Sequence, residues 1–299
     1  MIKKIYRILA TLITLLLIII GYLSTIGIKT DKFNSRIITQ VKKIEPNLDL
    51  KLTEVSATLN PFSLEINAKT IGADLIYKDK TIELESIKSN ISLKSFINDN
   101  FAITGIFIST KSLAIKDLIT FTRIFNNDPK LFIANQFIKK GFVVADIRLE
   151  FDESGNIKNN YKFNGLIKDG YINLFKKYSL NKIDFIFEIN KNGLTLNDIK
   201  LLLNNNNILI PELIASKLSN EYSISGKLNT ENTSLTKNEI NNLINDEILG
   251  LDIEDILFNS KNNFEFKINK KLKVKNLNIK SDINIQELNL KNSLELKDI

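Results

Sequence analysis

The 299-residue chain contains no cysteine, no histidine and no tryptophan, and its one methionine is Met1. Without cysteine, disulfide bonds, thiol nucleophiles and cysteine zinc sites are excluded. Without histidine, Ser-His-Asp triads, imidazole metal ligands and histidine bases are excluded as well. Neither a phosphate-binding glycine loop nor a G-x-S-x-G nucleophile elbow occurs. We therefore expect a protein that is not an enzyme and that uses no cofactor or metal ion.

The charged residues give little further indication of chemistry. Carboxylates cluster at Glu83 and Glu85 and at residues 252–255, but the first pair has strand spacing and the second lacks the glycine-bearing loop of calcium sites. The formal charge is +7, and the lysine-rich stretch 270–280 alternates with apolar residues like a solvated strand face. No stacking aromatics accompany it, so we expect no nucleic acid partner.

An uncharged, apolar stretch covers residues 8–28 and is preceded by Lys3, Lys4 and Arg7. Its roughly 21 residues would span about 31 Å as a helix, close to the hydrocarbon thickness of a bilayer. The positive-inside rule then leaves residues 1–7 in the cytoplasm and exports the rest of the chain. The alternative is a cleaved signal peptide, which has a shorter apolar stretch and a better cleavage site.

Residues 29–47 read as an amphipathic helix and linker. Phe33, Ile37, Val41 and Ile44 recur at helical spacing, and Pro46 ends the pattern. Such a helix either lies against anionic headgroups or packs its apolar stripe on the following body. We favour the second interpretation.

From residue 48 to residue 299 the apolar residues alternate with polar ones, which predicts strands with one apolar and one solvated face. Good hairpin turns occur at residues 153–156 and 190–193. Short helices are predicted at residues 117–125, at 129–140 before Gly141, and after the capping box Thr236-x-x-Glu239. The fold class is therefore mainly β: one N-terminal transmembrane helix and an extended, antiparallel, curved, groove-like sheet with a few short helices.

The C-terminal residues 282–299 keep the strand pattern to the last residue. An uncovered strand edge invites pairing with another strand. Either a second chain completes this edge, or the sequence is the front part of a longer protein, and we favour the second possibility.

The layout resembles the AsmA-like family of envelope proteins. The resemblance is carried by the Lys3-Lys4-x-x-Arg7 flank, by helix 33–44 passing through Glu45-Pro46-Asn47 into Leu48-x-Leu50-x-Leu52, by segments 82–87, 90–96 and 103–108, and by Gly165-x-Ile167-x-x-Gly170 leading into residues 181–187. It implies an inner-membrane protein with a periplasmic β-rich body that carries phospholipid between the inner and outer membranes. It implies no catalytic residues.

The apolar strand positions are candidates for the lining of a lipid groove, because an open apolar face usually marks a binding site. These candidates are Leu64, Ile66, Ile91, Leu93, Phe185, Phe187, Phe264 and Phe266. The same alternation would also build an ordinary closed core. An alternative function is a non-enzymatic scaffold for outer-membrane protein biogenesis, which would bind envelope proteins through an edge strand such as residues 288–296.

Overall fold

The computed structural model is mainly β, with 67% of its residues in strands, one apolar N-terminal helix and few further helices. It describes residues 2–31, 34, 35, 38, 42, 46–77, 80–98, 103–125, 129–174, 178–203, 206–218, 221–243, 253–269, 273–291 and 295–297. The strands pair antiparallel in a large open sheet. The predicted fold class is confirmed.

Helix α1, Ile2–Thr25, is 24 residues long, which corresponds to about 36 Å. Its segment Lys3–Thr25 is long and apolar enough to cross a membrane, and none of that segment is buried. The helix ends earlier than the predicted residue 28, because Ile28–Thr30 form strand β1. Of the predicted amphipathic segment, Asn34, Ser35, Ile38 and Lys42 are helical, whereas its apolar stripe lies outside the described residues.

The chain divides into two compact units. Unit 1 comprises Met1–Leu113 and Val144–Phe163, and unit 2 comprises Ala114–Val143 and Asn164–Ile299. The remaining elements, in chain order, are β2 Leu48–Lys51, β3 Val55–Asn60, β4 Glu65–Ile71, β5 Asp74–Tyr77, β6 Lys80–Ser92, α2 Leu93–Ile97, β7 Ile103–Thr110, β8 Leu113–Ala114, α3 Ile115–Phe125, α4 Pro129–Phe137, β9 Ile138–Glu150, β10 Lys162–Leu174, β11 Tyr178–Asn190, β12 Gly193–Leu203, β13 Asn206–Lys217, β14 Glu221–Thr236, α5 Lys237–Leu243, β15 Ile253–Asn269, β16 Val274–Leu290 and β17 Glu295–Lys297.

In unit 1 the strands pair in the order β1, β3, β4, β6, β7 and β9. Strand β6 belongs to two sets of strands. Its first residues pair with β5, and β5 pairs with β2. This second set of strands gives unit 1 a closed core. Its buried apolar side chains are those of Leu48, Leu50, Ala73, Ile82 and Leu84.

Unit 2 is built mainly from an antiparallel meander in which each strand from β10 to β17 pairs with the next. Strands β10 to β16 are 11 to 17 residues long, so the longest span about 56 Å. They are longer than the sequence pattern predicts. Asp198 in β12 shows the reason, because its positive φ of 53° marks a bulge.

The bulge at Asp198 adds one residue to β12. Side chains on one face of the strand are therefore even-numbered before the bulge and odd-numbered after it. Leu196 lies opposite Leu213 of β13, which lies opposite Gly226 of β14. Leu201 lies opposite Ile208 of β13, which lies opposite Thr230 of β14. Gly226 and Thr230 lie on one face of β14. Leu196 and Leu201 therefore lie on one face of β12, although one number is even and the other is odd. Read from the sequence, such a switch looks like the end of one short strand and the start of another.

The short helices agree in part with their predictions. Helix α3 is confirmed, and α4 ends at Phe137, so that Lys139, Lys140 and Gly141 belong to β9 and not to a helix end. One half of the predicted capping box of α5 is present, since the Thr236 N–H donates to Glu239 Oε2 at 2.9 Å and the Thr236 hydroxyl donates to the same oxygen. Both predicted hairpin turns are present, and residues 191 and 192 connect the paired Asn190 and Gly193.

Candidate functional site

The main sheet of unit 1 has one apolar face. Ile66 of β4 lies directly opposite Leu59 of β3 and Ile91 of β6, and directly opposite residues project from the same face of an antiparallel pair. The unit 1 apolar face is formed by Ile28, Val55, Ala57, Leu59, Ile66, Ala68, Ile87, Ile91, Ile103, Ile106, Ile108, Ile147 and Leu149. Most of these side chains are only half-buried. The face is therefore neither a filled core nor a fully exposed surface.

A cavity of about 600 Å³ lies where helix α1 meets this face. Leu23 of α1 lines it together with Ile28 of β1, Leu59 of β3 and Ile66 of β4. Lys29 and Thr58 also border it, although both belong to the opposite face of the sheet. Its volume is in the range of small-molecule binding sites. The sequence interpretation assigned Leu23 and Ile28 to the membrane span and so missed their place in a groove.

The opposite face of the same sheet is polar. A cross-strand row contains Lys29, Ser56, Lys69, Lys88, Phe107 and Arg148. The Arg148 guanidinium lies 5.3 Å from the centre of the Phe107 ring and forms an ion pair with Glu150. A hydrogen bond from Asn160 and the nearby Arg148 guanidinium hold the pKa of Glu150 below its ordinary value. The sheet is thus amphipathic, as the alternation predicts.

Unit 2 also carries an apolar face. Phe187, Leu196, Leu213, Gly226, Phe264 and Ile279 form one cross-strand row, and Ile189, Leu194, Ala215, Ile224 and Phe266 form the next. Phe185 lies two residues before Phe187 on the same strand. The rings of Phe264 and Phe266 are stacked with their centres 6.0 Å apart. These phenylalanines are half-buried.

The structure therefore places six of the eight groove candidates on apolar strand faces. Ile66 and Ile91 lie together in unit 1, and the four phenylalanines lie on one face in unit 2. The prediction that Leu64 and Leu93 project from strands is wrong. Leu64 ends the turn between β3 and β4 with a φ of 53°, and Leu93 begins helix α2, whose N-cap is Ser92. A hydrogen bond from Leu93 N–H to the Leu64 carbonyl joins the two backbones.

The predicted edge strand 288–296 is also corrected. Leu288 of β16 lies opposite Leu296 of β17, so these residues form a hairpin. The earlier part of β16 is the more exposed edge among the described residues. Its apolar side chains Val274, Leu277, Ile279 and Ile283 are each more than half exposed.

Of the carboxylates singled out by the sequence, Asp252 lies outside the described residues, and the others show no metal-site geometry. Glu83 forms an exposed ion pair with Lys111 at 2.9 Å. Within the part of the chain that the structure describes, no three acidic side chains are grouped so that they could hold a metal ion. No protein-family model, curated protein or solved structure matches the chain.

Proposed function

We propose that the chain is a membrane-anchored lipid-binding protein of a bacterial envelope. Helix α1 crosses the inner membrane with Lys3, Lys4 and Arg7 on the cytoplasmic side, and the β-rich body is periplasmic. The body takes phospholipid acyl chains onto its apolar faces and so serves lipid homeostasis between the inner and outer membranes. The resemblance to AsmA-like proteins points to the same role, and the mechanism needs no bond making.

The cavity at the end of α1 is the observation that carries this proposal. Leu23 belongs to the apolar helix, and Leu59 and Ile66 belong to the apolar face, yet all three line one cavity. An acyl chain leaving the bilayer along Leu23 would meet apolar side chains without first crossing water. Continuous contact of this kind avoids the cost of exposing the chain to water, about 0.8 kcal/mol per CH₂ group.

The polar rim supports an outward-facing headgroup. Lys29 borders the cavity and is exposed, but its side chain leaves the sheet from the polar face. Its positive charge would therefore meet a phosphate only at the cavity mouth. Thr30 and Thr58 also line it. A phospholipid would thus have its tails against the strands and its headgroup at the cavity mouth.

Photochemical cross-linking tests the proposal on a single strand. A photoreactive amino acid at Ile66 lies on the apolar face, and the same group at Asn67 lies on the opposite face. In full-length protein from bacterial envelopes, Ile66 should cross-link phospholipid and Asn67 should not. Equal labelling at both positions, or labelling at Asn67 alone, would contradict binding on the apolar face.

A second candidate function is favoured by the exposed edge of β16. Val274 and Ile279 are each 55% exposed, and an unpaired strand edge can add a strand from another protein. The chain would then act as a scaffold for outer-membrane or other envelope proteins. Changing Ile279 to Lys should release such a partner, whereas cross-linking of lipid at Ile66 should be unaffected.

A further inference from the structure

The turn between β3 and β4 exposes an apolar aromatic side chain. Phe62 is 98% exposed and Leu64 is 55% exposed. Single exposed apolar residues are common on protein surfaces. Phe62 differs from the ordinary case in two respects, which are the rigidity of its turn and its position in unit 1.

The turn is held in one conformation by side-chain hydrogen bonds. Asn60 Oδ1 accepts from the N–H groups of Phe62 and Ser63 at 3.1 Å and 3.3 Å. Ser63 Oγ donates to Glu65 Oε2 at 3.0 Å. The backbone of Leu64 is also held in place, because its carbonyl accepts a hydrogen bond from the Leu93 N–H at 2.9 Å. Phe62 therefore projects from a rigid tip, and no apolar side chain among the described residues covers it.

The register of β1 and β3 places this tip at the end of the sheet where α1 arrives. Ile28 lies opposite Ala57 and Thr30 lies opposite Val55. Because the two strands are antiparallel, the start of β1, which follows α1, lies beside the end of β3, which leads to the tip. Leu23 in the last turn of α1 lines the same cavity as Leu59, which is close to the tip.

We propose that the β3–β4 turn is a second membrane contact, in which Phe62 and Leu64 insert into the boundary between headgroups and acyl chains. Interfacial protein segments bury apolar side chains about 5–10 Å into this layer. The last turn of α1 lies in the same layer if the helix spans the bilayer. Two contacts at one end of the sheet would fix the tilt of unit 1 on the membrane, which a single helix cannot do.

This inference rests on the proposed anchoring by α1 but not on lipid binding in the groove. The absence of native tryptophan provides a direct test. Phe62→Trp introduces a single fluorophore at a position that is 98% exposed among the residues that the structure describes. Ile71→Trp is the matched control, because Ile71 is 61% exposed and lies at the other end of β4.

The full chain is reconstituted into liposomes of phosphatidylcholine and phosphatidylglycerol. We expect the emission of Phe62→Trp to shift to shorter wavelength, to be lost with brominated lipids and to resist aqueous acrylamide. Ile71→Trp should show the reverse. Full quenching of Phe62→Trp by acrylamide, with no effect of brominated lipid, would overturn the inference. If alkaline carbonate extracted the whole chain, the proposed anchoring would fail first and the inference with it.

Discussion

Both units carry a half-buried apolar sheet face, but unit 1 adds short strands beside which part of its apolar side chains form a core. In unit 1 the small strands β2 and β5 provide a second set of partners, and Leu50, Ala73 and Leu84 are almost completely buried. In unit 2 the long meander leaves Phe187, Phe264 and Phe266 half-buried. The difference shows that alternation specifies a sheet face, whereas additional elements decide whether that face becomes a core.

The largest effect that distinguishes the units should come from shortening a leucine. Leu84 is 4% exposed in the closed core, and Leu196 is half-buried on the open face of unit 2. We expect Leu84→Ala to cost about 2–4 kcal/mol and Leu196→Ala less than half of that, because a buried site also leaves a cavity. Amide hydrogen exchange, measured segment by segment, gives the opening free energy of each unit separately. Equal losses would mean that the unit 2 face is also a core.

A glycine on the unit 2 face should give the next effect. A Cβ atom at Gly226 would lie 2.7 Å from Cζ of Phe264 and 2.9 Å from the Glu212 carbonyl oxygen. We expect Gly226→Val to destabilise unit 2 by about 1–3 kcal/mol, since the ring and the backbone must move. Ser225→Val, one residue away on the polar face, is the control and should be nearly neutral. An unchanged urea midpoint for Gly226→Val would argue against this packing of Phe264.

Acid should weaken unit 1 through Glu150. Its pKa is lowered by the hydrogen bond from Asn160 and by Arg148. A lowered folded pKa means that this stabilisation is complete above the ordinary value of 4.5 and is lost as pH falls through the folded pKa. Glu150→Gln should therefore flatten the loss of unit 1 stability below about pH 4.5. A stability profile with the same acid slope in both proteins would contradict this role.

The smallest effect concerns like charges placed directly opposite each other. Lys69 and Lys88 face each other in unit 1, and Lys267 and Lys275 do so in unit 2. Lys267 is relieved by an ion pair with Glu221 at 3.5 Å, whereas neither Lys69 nor Lys88 has an ion pair among the described residues. We expect Lys88→Glu to stabilise unit 1 by about 0.2–1 kcal/mol at low salt, and Lys275→Glu to do less in unit 2. Thermal unfolding at two salt concentrations checks both.

The sequence predicts the fold class because helical length and strand alternation are local properties. It also predicts the contact between Thr236 and Glu239 at the start of α5 and the hairpin at residues 190–193, whose signals lie within a few residues. Strand lengths in unit 2 were underestimated because bulges such as Asp198 switch the alternation within one strand. Leu64 was misplaced for a related reason, since a turn with positive φ continues the apolar spacing of β4.

The candidate site was predictable only in part. Ile66 and Phe187 could be assigned to apolar faces, but their cross-strand neighbours depend on register, which no single strand encodes. The cavity beside Leu23 depends on how α1 meets β3, and the sequence gives no signal for that contact. Whether a face is open or closed depends on elements far away in the chain.

Native mass spectrometry of the full-length protein, released from bacterial membranes in mild detergent, tests the central claim most directly. The account predicts bound phospholipid that is reduced by Ile91→Asp on the unit 1 apolar face and retained by Asn90→Asp on the opposite face. Both variants should keep the far-ultraviolet circular dichroism of the native chain. A folded protein that carries no lipid, or one whose lipid is unaffected by Ile91→Asp, would contradict the account.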